Sequence, residues 1–442
     1  MVKESAHIHS PSEVRKREVD MSIESSEISQ MQRGRAIDRW AKRAVVKQLK
    51  QLTQGRLTVV DGKEVMTFGD LTADDAPLAT TIEVLDQKFY SEFALGGSVA
   101  AGEAYMRGFW RCSELTDLVR IMLQNAHVLD AVDNSLTRLK APLLRIGHWY
   151  NRNTQTGSRR NIRAHYDLGN AFFKLFLDPS MMYSSAYYPH RDATLEEASE
   201  AKLKRICDKL CLSSQDRVIE IGTGWGGFAL YAARNYGCHV TTTTISDEQY
   251  KLAEKRISDA KLEDRITLLK RDYRDLNGHY DKLVSIEMIE AVGPQFLETY
   301  LNCCSRLLKP HGAMLVQAIT MRDQRYDRAV HSVDFIQRYI FPGGFIPCLA
   351  AITDGIKKAT DLRLFNLEDI GPHYARTLAD WRAAFFANLG EVKALGYSDE
   401  FVRMWEFYLC YSEGGFRERA LGNVQLVFVK PQNRIDWNYE TR

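Results

Sequence analysis

No window of the sequence approaches the roughly 20 consecutive apolar residues that a membrane-spanning helix requires. The opening stretch MVKESAHIHSPSEVRKREVD lacks the apolar segment of a secretory leader, so an exported or membrane-threaded chain is not expected. Cysteine is sparse and scattered. Cys112, Cys207, Cys211, Cys238, Cys303, Cys304, Cys348 and Cys410 show no paired metal-binding spacing, and 442 residues bury enough core to need no disulfide staples. Cys207 and Cys211 would share a helix face but have no second pair, so no metal site is expected. The eight read as reduced thiols of a cytoplasmic protein. Internal repeats and low-complexity tracts are absent too.

Acids are missing where bases gather. The formal net charge is only +2, yet between Asp133 and Asp167 seven bases (Arg138, Lys140, Arg145, Arg152, Arg159, Arg160, Arg163) meet no acid. From Met31 to Val60 eight Lys or Arg stand against Asp38 alone. Such stripes point to an anionic neighbour, a lipid surface or a nucleic acid.

What is present divides the chain in three: a polar, aperiodic tail over 1–30, a first domain over 31–150, and a second over 151–442 that starts at the linker-like NRNTQTGSRR. In the first domain AIDRWAKRAVVKQLKQL predicts a basic amphipathic helix, whose apolar face either meets the bilayer or packs within the domain. GRLTVVDGKEVMTFGD predicts a hairpin turning at Asp61-Gly62, followed by a short strand and helices. In the second domain strand and helix periods alternate from RVIEIG to AMLVQAIT, the pattern of a parallel sheet covered on both faces.

VIEIGTGWGGFAL places Gly222, Gly224 and Gly227 in G-x-G-x-x-G spacing between a strand and a helix, a context that means a bound nucleotide. A dinucleotide would need an acid at the end of the second strand, which instead ends TTTTIS. Polar and aromatic groups follow the second, third and fourth strands: Thr244, Ser246 and Gln249; Asp272 and Tyr273; Glu287 and Glu290. A bare turn, ribose-binding hydroxyls and amides, and a polar edge for adenine favour S-adenosylmethionine. A nucleic-acid methyltransferase is disfavoured, because the fourth strand ends SIEMIEAVG rather than in an NPPY-like loop for a flipped base.

RAHYDLGNAFFKLFLDPSMMYSSAYY, VIEIGTGWGG, TTISDEQ, RDYRDL, SIEMIEAVG, RYIFPGGFIP and GGFRERAL follow in order from about residue 163 to the C-terminus. Together they resemble the cyclopropane-fatty-acyl-phospholipid synthase family and its mycolic acid cyclopropane synthase relatives. The resemblance implies an α/β fold, a Rossmann-like class I methyltransferase with a mostly parallel seven-stranded sheet. A smaller, mainly helical N-terminal domain precedes it; GEAYMRGFWRCSELTDL is similar to the lipid-associated extra domain of the bacterial phospholipid enzymes, which the mycolic acid enzymes lack. It further implies methyl transfer from S-adenosylmethionine to the double bond of an unsaturated phospholipid acyl chain, giving a carbocation that loses a proton and closes a ring. The partners implied are acyl chains and an anionic membrane surface, with no nucleic acid and a homodimer left open. The place implied is the cytoplasm, peripherally at the inner face of the membrane.

The implied cofactor set is Tyr183, Ser184, Glu220, Gly222, Gly224, Gly226, Thr244, Ser246, Gln249, Asp272 and Tyr273. Aromatic candidates for steadying the cation are Tyr166, Phe172, Phe173, Tyr183, Tyr187, Tyr188 and Tyr339. The family's proton acceptor is a bicarbonate held by a cysteine, a glutamate, a histidine, a backbone group and a tyrosine. These carry over to Glu290, Tyr374 and the backbone of Ile319, but YSSAY puts Ser185 at the cysteine position and LVQAI puts Gln317 at the histidine position. Either a hydrogen-bonded bicarbonate survives and the product is a cyclopropane, or the altered site yields a methyl-branched or otherwise unsaturated chain. A non-catalytic lipid-binding relative is the remaining alternative. Glu287 is expected to play a lesser part at the cofactor amine.

Overall fold

A computed structural model describes residues 36–70, 78–128, 155, 157–158 and 168–434. The tail over 1–30, the domain boundary near 150, most of the second basic stripe and Tyr166 lie outside the described residues.

The N-terminal unit opens with helix α1 (36–49). Its apolar stripe, Ala41, Val45 and Leu49, is buried in the unit's own core, as i, i+4, i+8 spacing on one helix face dictates. Ile37 and Trp40 remain half exposed, and Arg39, Arg43, Lys47 and Lys50 face solvent. Of the two fates open to the apolar face, packing within the domain is the one realised. Strands β1 (Gly55–Asp61) and β2 (Glu64–Asp70) form the hairpin, joined through Gly62-Lys63 with Gly62 at φ +61°, a conformation natural to glycine. β3 (Ala79–Val84) lies parallel to β1, and β4 (Trp110–Cys112) closes the order β2-β1-β3-β4. Helices α2 (Lys88–Met106) and α3 (Leu115–Gln124) follow, so among the described residues of the unit helix outweighs strand but a four-stranded sheet sits beside it.

The second unit holds a seven-stranded sheet in the order β10-β11-β9-β8-β5-β6-β7. Its strands are β5 (Arg217–Ile221), β6 (His239–Thr243), β7 (Ile266–Leu269), β8 (Tyr280–Ile286), β9 (Leu308–Met321), β10 (Arg363–Asp369) and β11 (Leu421–Val429). The five from β9 to β7 run parallel, and β10 and β11 add antiparallel pairings at one edge. Helices α4 (Leu195–Lys209), α5 (Gly227–Tyr236) and α6 (Asp247–Asp259) cover one face, where Ile206, Phe228 and Ile257 meet Val218, Val284 and Leu315. Helices α7 (Leu297–Leu307) and α8 (Leu349–Ala359) cover the other, where Leu301 and Ile352 meet Ile219, Leu283 and Met314. Alternate strand residues thus go to opposite cores, as the pleat requires. The crossover direction reverses where β5 neighbours both β6 and β8, the topological switch at whose carboxyl ends open sheets bind ligands.

The two units share one apolar core through α9 (Gly371–Ala387) and α10 (Asp399–Arg417). Contact is close enough to require glycine: a Cβ on Gly414 would lie 2.6 Å from Val119 Cγ1, and one on Gly102 2.6 Å from Phe335. Tyr105 OH donates to Glu406 Oε2 (2.7 Å), Arg120 Nε to Glu418 Oε1 (2.8 Å) and Arg403 Nε to the Met106 carbonyl (2.7 Å) across the seam. Among the described residues no helix is long and apolar enough to cross a membrane, no His/Cys/Asp/Glu cluster could hold a metal, and all eight cysteines are free thiols.

Candidate active site

One cavity of about 1060 Å³ runs from the switch point into the N-terminal unit. Its polar floor is the glycine turn. Gly222, Gly224 and Gly226 hold φ of +101°, +53° and +87°, a region that L side chains rarely enter. A Cβ on Gly224 would meet nothing within 4 Å, so this turn leaves room beside bare backbone, as a cofactor's methionine part requires. Gly226 does not line the cavity; it is the left-handed cap from which α5 starts. Thr244, Gln249, Asp272, Tyr273, Tyr183, Ser184 and Glu220 all line it. Ser246 does not; its hydroxyl caps α6 by accepting from the Gln249 amide (3.3 Å), while Thr244 Oγ1 donates to Gln249 Oε1 (2.8 Å) and fixes that side chain. Asp272 is held by Arg274, whose Nε and Nη2 donate to it at 2.7 and 2.8 Å.

Glu220 is the penultimate residue of β5 and accepts from Thr242 Oγ1 at 2.6 Å. Burial pushes its carboxyl up to about 8, against the pull of that hydrogen bond and of Lys202. Lys202, fully buried on α4, donates to Ser184 Oγ (2.7 Å); burial pushes its ammonium down to about 8, while Glu287, Asp178 and Glu220 favour the charge. Sequence reasoning missed this lysine, because it reads as one more polar residue of a surface helix.

The expected catalytic set divides in two. Glu290 and Ile319 come together, the Ile319 amide donating to Glu290 Oε1 at 2.5 Å, and Glu290 Oε2 is buried without a protein partner. Burial first, and the charge of Glu287 second, hold Glu290 well above the ordinary carboxylate range. Ser185, Gln317 and Tyr374 gather around Glu287 instead. Glu287 Oε1 accepts from the Ser185 amide (2.9 Å), Gln317 Nε2 (2.9 Å) and Asn423 Nδ2 (2.6 Å); Oε2 accepts from Tyr374 OH (3.0 Å). Ser185 serves through its backbone, since its hydroxyl donates to the Ala186 carbonyl (3.0 Å). Gln317 is oriented from behind: its Oε1 accepts from its cross-strand partner Gln425 (3.1 Å), which accepts from Lys209 Nζ (2.8 Å).

Glu287, Glu290, Ile319 and Tyr374 line the cavity; Ser185, Gln317 and Asn423 do not, and reach it only through the Glu287 carboxylate. Of the groups carried over for a bicarbonate, Ser185 and Gln317 are thus out of its reach, and the Ile319 amide and Tyr374 OH already end on carboxylates, so the set does not fit a free ion. Of the expected aromatics among the described residues, Tyr183 alone lines the cavity, its OH 2.9 Å from Tyr408 OH and its ring 6.2 Å from Phe341. Phe172 and Phe173 are core, Tyr187 and Tyr188 pack on His373, and Tyr339 donates to Glu103 (2.9 Å).

The family profile described as mycolic acid cyclopropane synthetase matches residues 153–426. The chain belongs to this family. It is an S-adenosylmethionine-dependent methyltransferase with the class I fold. Cyclopropane-fatty-acyl-phospholipid synthase of Escherichia coli is 38% identical over 354 residues, 79% of this chain and 87% of its own. Tuberculostearic acid methyltransferase UfaA1 of Mycobacterium tuberculosis is 37% identical over 341 residues, covering 76% of this chain and 79% of that protein. Both alignments are longer than the stretch from 153 to the C-terminus, so both enter the N-terminal unit. The crystal structure of mycolic acid cyclopropane synthase CmaA1 complexed with SAH and CTAB superposes with a TM-score of 0.57 at 30% identity, over 62% of this chain and 98% of its own.

Proposed function

We propose that this family member transfers the methyl carbon of S-adenosylmethionine to the double bond of an unsaturated fatty acyl chain in a membrane phospholipid and closes a cyclopropane ring. The observation that carries the reading is the continuity of the cavity, from bare glycine backbone at the cofactor turn to an apolar bore lined by Val45, Leu57, Val59, Phe68 and Leu118. A polar substrate would find little to bond there, whereas an acyl chain replaces water with carbon at roughly 0.8 kcal/mol per buried CH₂. When bound, S-adenosylmethionine supplies an electrophilic methyl group. The chain's own residues hold the acyl segment, exclude water from a cation, and face it with the rings of Tyr183, Phe341 and Tyr408.

Exposed Arg39, Arg43, Lys47 and Lys50, with Trp40 beside them on α1, support docking to an anionic leaflet, at the inner face of the membrane. A second reading, C-methylation without ring closure, is favoured by the departures at Ser185 and Gln317 and by likeness to a tuberculostearic acid methyltransferase. A ring and a branched alkene both equal substrate plus CH₂, so mass alone does not separate them; a saturated branch needs a hydride from elsewhere. The test is methyl-labelled S-adenosylmethionine with unsaturated phospholipid vesicles, read by mass spectrometry and proton NMR. Ring protons upfield of the chain methyls are expected; vinyl signals would favour the second reading, and no label in lipid would overturn both.

A further inference from the structure

We propose that Glu287 is the proton acceptor of the reaction, a carboxylate built into the chain at the place where the family resemblance calls for a free bicarbonate. The inference rests on the methyl-transfer reading above. Its first support is the donor set: the Ser185 amide, Gln317 Nε2 and Asn423 Nδ2 all end on Oε1, so no lone pair is left there for a proton. Oε2 accepts only from Tyr374 OH and keeps one lone pair, and the residue lines the cavity together with Glu290, Ile319 and Tyr374. Its second support is the backbone. Glu287 sits at φ +49°, rare for a long side chain, and its amide donates to the Gln317 carbonyl at 2.8 Å. Such strain persists where the surroundings over-determine it and clusters at functional positions.

Its third support is the contrast with Glu290 one turn on, which has one donor and an unpartnered Oε2 and is driven toward the neutral acid. Four donors converge on the Glu287 carboxylate and one on Glu290, so the hydrogen bonds single out Glu287 as the proton acceptor of the two. In the step, a C–H bond of the newly added methyl breaks. Its proton goes to Glu287 Oε2, and its electron pair forms the ring bond to the cationic carbon. The protonated carboxyl returns the proton to water as product leaves.

The test compares wild type, E287Q and E287G, with cofactor affinity measured by calorimetry as the control for folding; glycine suits the positive φ. In buffer stripped of CO₂, wild type should form as much product as with added bicarbonate. E287Q should lose about a hundred-fold or more of its turnover at unchanged cofactor affinity. E287G should be inactive without bicarbonate and regain turnover with it. Carbon-13 NMR of labelled bicarbonate, with S-adenosylhomocysteine present, should show binding to E287G and none to wild type. Bicarbonate-dependent or bicarbonate-binding wild type, or wild-type turnover in E287Q, would overturn the proposal. Absence of methyl transfer by wild type to any lipid would instead strike the functional reading, and the NMR measurement would still decide what occupies the site.

Discussion

At the switch point the cavity is walled by the carboxyl ends of β5, β6 and β8, where Glu220, Thr244, Gln249 and Glu287 are each held by a named partner and glycine backbone lies bare. Within the N-terminal unit the same cavity is walled by α1, α3 and the sheet around β1, and its lining is almost entirely carbon. The polar end depends on single atoms held within tenths of an ångström. The apolar end depends on volume, and tolerates exchange among side chains of similar size. Damage should therefore be steep and local at one end, shallow and graded at the other.

The steepest loss is expected at the glycine turn. Gly224→Val puts a β-branched side chain at φ +53° and into the space beside the cofactor, so calorimetry should show affinity for S-adenosylmethionine reduced by about a hundred-fold or more, with the fold retained by circular dichroism. At the apolar end, Met122→Trp narrows the bore without touching the cofactor. Turnover of long-chain phospholipid should fall by roughly tenfold and that of shorter chains by less, at unchanged cofactor affinity. Equal loss for both chain lengths would count against an acyl bore.

A smaller, graded effect is expected from Glu220. Its carboxyl is pushed up to about 8, so it is largely protonated at pH 7, while a cofactor bearing an ammonium and a sulfonium favours the ionised form. Binding should release a proton and tighten as pH rises from 6 to 8, by at most about tenfold per unit, and level off above the free carboxyl's midpoint of about 8. Glu220→Gln should remove that share of the slope and leave the share owed to the ligand's amine. Least of all, reversing Arg39 and Arg43 to Glu should weaken co-sedimentation with anionic vesicles by roughly tenfold at low salt, the difference shrinking as salt rises. Unchanged, salt-independent binding would remove α1 from the membrane contact.

The same contrast decides what could be read from sequence. Strand and helix periods gave the alternation from β5 to β9, because pleat and helix repeat are set locally. The cofactor loops were legible for the same reason: positive φ at Gly222 and Gly224 leaves a glycine signature. The convergence of donors on Glu287 was not legible, because β8 ends at Ile286 and the backbone turns left-handed at the next residue. Asn423 stood 136 residues from its partner, and nothing in its neighbours announces a site. Ser185 was read by its side chain, whereas its amide makes the bond. Residues of the apolar bore were legible as core, and their second duty as cavity wall was not, since hydrophobic periodicity is the same whether carbon or a void lies opposite.

Gly102 and Gly414, where no Cβ can stand, bring α2 against Phe335 and α10 against Val119, and residues on both sides of that seam line the bore. The seam is therefore also a wall of the bore: a side chain forced in at either glycine would part the units and let water into the acyl site, so Gly102→Val or Gly414→Val would be felt as lost turnover as well as lost stability.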